Sequence, residues 1–389
     1  MYHSELKDCI ALLYPDTENY DTLLSSLADV IKREIRPGAA AIDRDEIYPR
    51  ENLRKLADLG VPALPFPQEI DGGGLPYPVF VAVMEMLSAG CANTALQLSI
   101  QAMVCEGILL FGNQSQKELF LRQKGLLAGT SLAAFALTEP SCGSDAKAIK
   151  TEASRSGENY LLNGIKTLIT SPGEADFIIL FAVAEEGISA FIIPRETPGF
   201  QVLKVLPKLG CKGHPLSTIR LKNCQVPATN LLGTAGKGLT YGKHFLNCGR
   251  ITIAALGVGI AQAALDKALA YSKRRKAFGS SISEFQLVQE KIADMVTEIQ
   301  AARLLTFQAA QLKARGLDYT AAAAKAKLFS SEMAQRVCDK AIQIHGGYGY
   351  IDGSDVHRHW RDARMLSIGE GTSDMLRLLI AHLALKESP

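Results

Sequence analysis

The hydrophobic period of this chain changes twice, from helical to strand-like and back, and few folds accommodate that order. Up to about residue 130, apolar residues recur at three- and four-residue steps, as in Leu23, Leu24, Leu27, Val30 and Ile31, which share one helix face. Arg36-Pro37-Gly38 should end that helix. The glycine run Asp71-Gly72-Gly73-Gly74-Leu75-Pro76 leads to a second helical stretch, rich in Ala, Met and Leu, that reaches about Leu110. No helix-cap pattern follows those glycines, so the run reads as a turn and not as a phosphate loop.

From about Ser131 the period becomes two. Phe177-Ile178-Ile179-Leu180-Phe181, Ile188 to Ile193 and Thr218-Ile219-Arg220-Leu221-Lys222 are short strands between turns of Gly, Pro and Asn. No helices alternate with them, which favours a small barrel or sandwich over a parallel sheet. After Gly236 the helical period returns. Phe285, Val288, Ile292, Met295, Ile299 and Ala302 form one long stripe, and long Ala-rich helices imply a bundle. The expected fold is mainly α with a central β domain: helical domain 1–130, β domain 131–235 and helical bundle 236–389.

Composition removes several functions. A net charge of +2 with mixed signs and no dense Lys/Arg run leaves nucleic acid and anionic membrane as unexpected partners. Met1 to Leu13 contains acids and lacks a basic, apolar leader, and the longest apolar run, Ile251 to Ala264, is too short to span, so a cytoplasmic location is expected. The eight cysteines are scattered without a C-x-x-C pair, as suits small buried hydrophobes better than zinc or disulfides. His357 and His359, beside Arg358 and Trp360, read as a solvated polar turn, and no metal is expected.

Two segments carry candidate chemistry. In Ile368-Gly369-Glu370-Gly371-Thr372-Ser373 a carboxylate stands between two glycines at the mouth of a helix, with Thr372 or Ser373 capping the apolar run Met375, Leu376, Leu379, Leu383. Projected into a cleft and stripped of water, such a carboxylate becomes a base strong enough for a carbon-bound proton. A helix-start Glu favoured by the macrodipole fits that stretch equally well. The second segment, Phe135-Ala136-Leu137-Thr138-Glu139-Pro140-Ser141-Cys142-Gly143-Ser144-Asp145, runs a strand into a turn dense in hydroxyls and backbone donors. It suits the polar edge of a heterocycle, and equally an ordinary Asx/Ser turn.

Joined to Asn163-Gly164-x-Lys166-x-x-Ile169-Thr170, that turn resembles the flavin-binding β domain of the acyl-CoA dehydrogenase family. Arg275-Lys276-Ala277-Phe278-Gly279 with Phe285-Gln286, then Gln343-Ile344-His345-Gly346-Gly347-Tyr348-Gly349, resemble that family's pyrophosphate- and adenosine-binding segments, and Glu370-Gly371-Thr372 completes the set. The motifs keep the family's order over essentially the whole chain.

The resemblance implies an acyl-CoA dehydrogenase-like fold: N-terminal helical domain, small β-barrel and C-terminal four-helix bundle, with FAD bound. It implies oxidation of an acyl-CoA thioester to the trans-2-enoyl thioester, Glu370 taking the α-proton while the β-hydrogen leaves as hydride to flavin N5. The Glu370 amide and a flavin ribose hydroxyl would hold the thioester carbonyl. Carried over from the family, FAD contacts fall on Phe135, Leu137, Thr138, Ser144, Leu168, Thr170, Arg275, Phe278, Gln286, Gln343, Gly346, Gly347 and Thr372. Substrate contacts fall on Ser144, Asn247, Arg250, Gly369 and Gly371. An electron-transfer flavoprotein is the implied electron acceptor. A homotetramer of two dimers is the implied assembly, with Arg275 and Gln343 reaching the FAD of a neighbour.

Plainer readings stand beside these. Gln286, three residues after Ser283, could be the far half of a capping box, and Arg275 could simply complement a helix dipole. Gly346-Gly347-x-Gly349 lacks the third glycine of a dinucleotide fingerprint, so NAD is not expected. Some relatives carry the base on a bundle helix, just before an arginine matching Arg250; Gly249 stands there, leaving Glu370 as the base. Gly369 where many members have Tyr should widen the acyl pocket, and Leu168 where many have Trp alters the flavin's surroundings. Asn247 where many have an acid keeps an alternative open, a dehydrogenase of an acyl or aminoacyl thioester held on a carrier protein in a biosynthetic pathway. Ser88 to Ala95 has no arginine, which disfavours a dicarboxylic substrate. A flavin oxidase or monooxygenase on the same fold would make hydrogen peroxide, and a non-catalytic scaffold would purify colourless.

Overall fold

A computed structural model describes residues 20–387; the Met1 to Leu13 stretch and Cys9 lie outside the described residues. Helix α1 (Asp21–Val30) buries Leu24 and Leu27, and Ile31 continues the same face. Pro37 does not stop the helical path as its sequence suggests. The chain passes through a wide turn at Ile31–Ile35 and a tight one at Arg36–Gly38, then resumes as α2 (Ala39–Arg44). Pro37 lies in the first turn of the tight segment, where a missing N–H costs nothing. Beyond α3 (Arg50–Asp58) the glycine run folds against its own chain: a Cβ on Gly72 would lie 2.1 Å from the Phe66 carbonyl oxygen. Helices α4 (Tyr77–Gly90) and α5 (Ala92–Phe111) are almost wholly buried and are parted by the extended residue Cys91.

The middle domain is one eight-stranded sheet: β1 (Ala133–Ala136), β2 (Glu152–Ser156), β3 (Asn159–Thr170), β4 (Phe177–Ala184), β5 (Gly187–Pro194), β6 (Phe200–Leu206), β7 (Leu216–Pro227) and β8 (Leu231–Leu232). Its order is β6-β7-β3-β2-β4-β5-β8, with β1 parallel beside β4. The path ends at β6 and β8, so hydrogen bonds leave the barrel open. β4 and β5 bury both faces, whereas β6 is largely exposed and shows little apolar alternation. Strand β1 is pinned by α5: Gln97 donates to the Ala133 carbonyl at 2.9 Å, and the Ala133 amide donates to Gln101 at 2.9 Å.

The bundle comprises α6 (Gly238–Arg274), α7 (Gln286–Ala314), α8 (Thr320–His345), α9 (Asp355–Leu366) and α10 (Ser373–Glu387). Helix α8 packs on the other four. The predicted stripe of α7 turns Met295, Ile299 and Ala302 into the core. Helices α5 and α6 are long and apolar enough to cross a bilayer, but 78% and 94% of their most apolar windows are buried inside the protein, as in core helices. His357 and His359 lie on α9 and not in a turn; Val356, Ala363 and Leu366 give that segment a buried face, which takes His359 and Arg358 with it. The seven described cysteines are buried and unpaired, as expected of small hydrophobes. No group of His, Cys, Asp and Glu among the described residues could hold a metal ion.

Candidate active site

The Gly-Glu-Gly turn joins α9 to α10. Glu370 itself adopts left-handed backbone (φ 53°), followed by Gly371 at φ 99°, a conformation that strains a residue bearing a side chain. The preceding backbone is fixed by Ile368 and Gly369 amides on the Met365 carbonyl. Thr372 Oγ1 accepts the Met375 amide at 3.2 Å, so Thr372 and not Ser373 caps α10. The Glu370 amide has no partner among the described residues, leaving a donor free for an oxyanion.

The Glu370 side chain leaves this half-exposed turn and reaches inward between α5 and α6. Its Oε2 is buried without a hydrogen-bond partner among the described residues. Gly249 makes the space: a Cβ there would stand 2.1 Å from Oε2 and 3.1 Å from Met103 Sδ. Burial pushes the Glu370 carboxyl up to about 7, against the attraction of the Lys327 and Arg250 cations. Arg250 donates to Asn247 Oδ1 at 2.6 Å, and Asn247 donates to Thr320 Oγ1 at 3.1 Å. Glu370, Gly371, Arg250 and Asn247 are thus brought together, as the sequence suggests. Gly369 does not simply open space, because Met365 Sδ lies 3.1 Å from where its Cβ would be.

In the β domain a second buried carboxylate shapes the turn after β1. Glu139 accepts from Lys150 and Thr151 amides, the Thr151 hydroxyl and Lys166 Nζ at 2.6–2.9 Å. Burial raises its pKa, but these bonds outweigh burial and hold it below the usual range. The clamp leaves Ser144 exposed and Thr138 half-buried; Thr170 is half-buried at the end of β3. Phe135 packs on Phe181 and Phe245, and Leu137 gives its carbonyl to Lys166. A register shift between Lys166 and Ile169 turns Leu168 outward at φ 56°.

The remaining expected cofactor residues lie elsewhere. Arg275, Gly346 and Gly347 line a cavity of about 540 Å³ with Tyr271, His345 and Tyr348. Tyr271 stacks on His345 at 4.3 Å, and the Arg275 guanidinium lies 5.9 Å from the centre of the Tyr348 ring. These three aromatics were not singled out from sequence, although His345 and Tyr348 lie within the quoted glycine segment. Phe278, at φ 51°, is 99% exposed, and Gln286 and Gln343 are exposed outside the cavity. Ser283 hydrogen-bonds Ser281, and no side chain caps α7, so Gln286 belongs to no capping box. Arg250 lies about a third of the way along α6 and Arg275 just beyond its C-terminal end, roughly 37 Å apart at 1.5 Å per residue.

Family patterns match nearly the whole chain: "Acyl-CoA dehydrogenase, N-terminal domain" at 17–125, "middle domain" at 134–224 and "C-terminal domain" at 236–385. The chain belongs to the acyl-CoA dehydrogenase family. It is 42% identical to the probable acyl-CoA dehydrogenase YngJ of Bacillus subtilis, over 95% of this chain and 99% of that protein. It is 39% identical to the human mitochondrial short-chain specific acyl-CoA dehydrogenase, over 94% and 90%. Among solved structures, butyryl-CoA dehydrogenase of Megasphaera elsdenii superposes with a TM-score of 0.90 at 37% identity, covering 93% of this chain and 97% of that one.

As an acyl-CoA dehydrogenase the protein is an FAD-dependent oxidoreductase acting on CH–CH donors. Its residues fit that cofactor. Leu168 and Phe278 are large apolar side chains held exposed in strained backbone, an arrangement that a bound aromatic group would repay. Arg275 beside Gly346 and Gly347 supplies the guanidinium and open backbone that a pyrophosphate requires.

Proposed function

We propose that this enzyme removes the α-proton of an acyl-CoA with Glu370 and yields the trans-2-enoyl-CoA. One observation carries the reading: the Glu370 Oε2 is buried and unpartnered beside Gly249, and that burial pushes the carboxyl up to about 7. FAD, when bound, accepts the hydride from the β-carbon. Below about 7 the Glu370 carboxyl holds its own proton, so activity should rise with pH through that value and then level off. The absence of a partner for the Glu370 amide among the described residues supports its holding the thioester carbonyl as enolate charge develops.

Met103 against Gly249 limits the space beside the base, and the relatives named above for short-chain and butyryl substrates support a short acyl group. The distance between Arg250 and Arg275 supports an active dimer within a homotetramer. Arg275 stands roughly 37 Å along α6 from Arg250 and the base beside it, which supports its serving the FAD of a neighbouring subunit. Exposed Met375, Leu378 and Leu385 on α10 supply apolar surface for assembly. An electron-transfer flavoprotein is the proposed acceptor.

The test is anaerobic loss of the flavin's visible absorbance with short, branched and cyclic acyl groups on coenzyme A and on carrier protein. Bleaching by short acyl-CoA that vanishes in Glu370→Gln, with FAD still bound, supports the reading. Bleaching by carrier-bound groups alone would transfer the enzyme to the biosynthetic alternative, and undiminished bleaching in Glu370→Gln would remove the base.

A further inference from the structure

Lys327 lies in the Ala-rich middle of α8 and is fully buried. A lysine in such a place needs a partner, because stripping an ammonium of water is costly. Its Nζ donates to the Gly371 carbonyl at 2.6 Å. That carbonyl belongs to the residue directly after Glu370, in the turn whose backbone is held left-handed. The bond therefore ties the central bundle helix to the loop that aims the carboxylate.

We propose that Lys327 is a positioning residue for proton abstraction: its ammonium anchors the Glu370 turn and stands as counter-charge to the carboxylate that the turn presents. The assignment rests on Glu370 being the base. Charges reach Glu370 from two elements, Lys327 on α8 and Arg250 on α6. From α5 it meets the uncharged Met103. On the flanking helices Arg364 bonds Ser367, and Arg364 and Asp374 are exposed.

Burial lowers Lys327 to about 8, with the Glu370 charge opposing and Arg250 assisting that fall. Lys327 is thus charged over the range in which Glu370 ionises at about 7, and its attraction favours the ionised base. The sign follows directly. A neutral residue at 327 removes one of two counter-charges, so Glu370 becomes harder to ionise and its titration moves to higher pH.

The experiment uses FAD-loaded full-length protein and an acyl-CoA whose β-carbon carries no transferable hydrogen, in deuterated water. Exchange of the α-hydrogen for deuterium then reports proton removal and return with no net oxidation. Flavin content and thermal melting are read on the same samples. Glu370→Gln should abolish exchange; if exchange persists, the base assignment fails whatever Lys327 does. Lys327→Met removes both anchor and charge, while Lys327→Gln keeps a donor without charge and serves if the Met variant does not fold. In either, the acid limb of exchange should move up by about one pH unit, with about a tenfold loss on that limb. Lys327→Arg should restore the limb. A folded, FAD-bound Gln or Met variant with an unmoved limb would overturn the proposal, as would an Arg variant shifted as far as the neutral ones.

Discussion

Two carboxylates in the helical part of this protein, Glu85 and Glu370, are treated oppositely. Glu85 on α4 takes three hydrogen bonds from Arg303 at 2.8–3.3 Å, and Arg303 spends its other donors on Gln262 and Gln300. Glu370 is given charges at a distance and no hydrogen bond on Oε2. Burial alone does not make a base. Withheld partners do, because hydrogen bonds to a carboxylate stabilise its ionised form and weaken its grip on a proton. Glu139 repeats the lesson in the β domain, where bonds from four donor groups hold the carboxyl low and the residue clamps a turn.

The contrast is broken most severely by exchanging its costs. Glu370→Gln should lower turnover about 10³-fold while leaving the fold and bound flavin intact, since one general base contributes on the order of 10²–10⁴. Arg303→Met should do the reverse. It strands Glu85 without its cation, and loss of one partner of a buried pair costs about 3–5 kcal/mol, read as a lower urea midpoint. Turnover per bound flavin should hardly change. A stable Arg303→Met variant with impaired chemistry would make the bundle pair part of the site after all. Next in size is Gly249→Ala, whose Cβ would fall 2.1 Å from Glu370 Oε2. Displacing the carboxylate by about an ångström should cost about 10²-fold in kcat, with a smaller change in melting temperature.

The same contrast explains what the sequence could reveal. Hydrophobic period exposed the domain order, because α7 and the buried strands β4 and β5 repeat their apolar residues regularly. β6 gave little signal, since a largely exposed strand has no face to mark. Glu370 and Gly249 were legible as a pair, one supplying an acid and the other lacking one, and the structure shows that the glycine also makes room. Lys327 was invisible. Among alanines and beside Lys325 it reads as a solvent-facing helix lysine, and only the packing of α8 at the bundle centre buries it. His359 was misread for the same reason, because polarity in sequence does not say which face of a helix the neighbours cover.

The smallest effect separates two helix caps. Asn113 and Gln116 form a capping box in the N-terminal domain, and Thr372 caps α10 beside Glu370. Removing either cap with alanine should cost about 1 kcal/mol of stability, because each leaves a helix-start amide unsatisfied. Their effects on chemistry should differ. Asn113→Ala loosens a turn remote from the Gly-Glu-Gly segment and should leave kcat unchanged. Thr372→Ala frees the Met375 amide four residues beyond Gly371, so at that end the base turn keeps only the Lys327 bond and the Ser373 amide on the Ser367 carbonyl, and kcat should fall a few-fold, about 1 kcal/mol of barrier. Thr372→Ser keeps the hydroxyl and should recover both quantities. If it recovers stability but not rate, the methyl group of Thr372 contacts the substrate or the flavin directly, and the cap is only part of what that residue does.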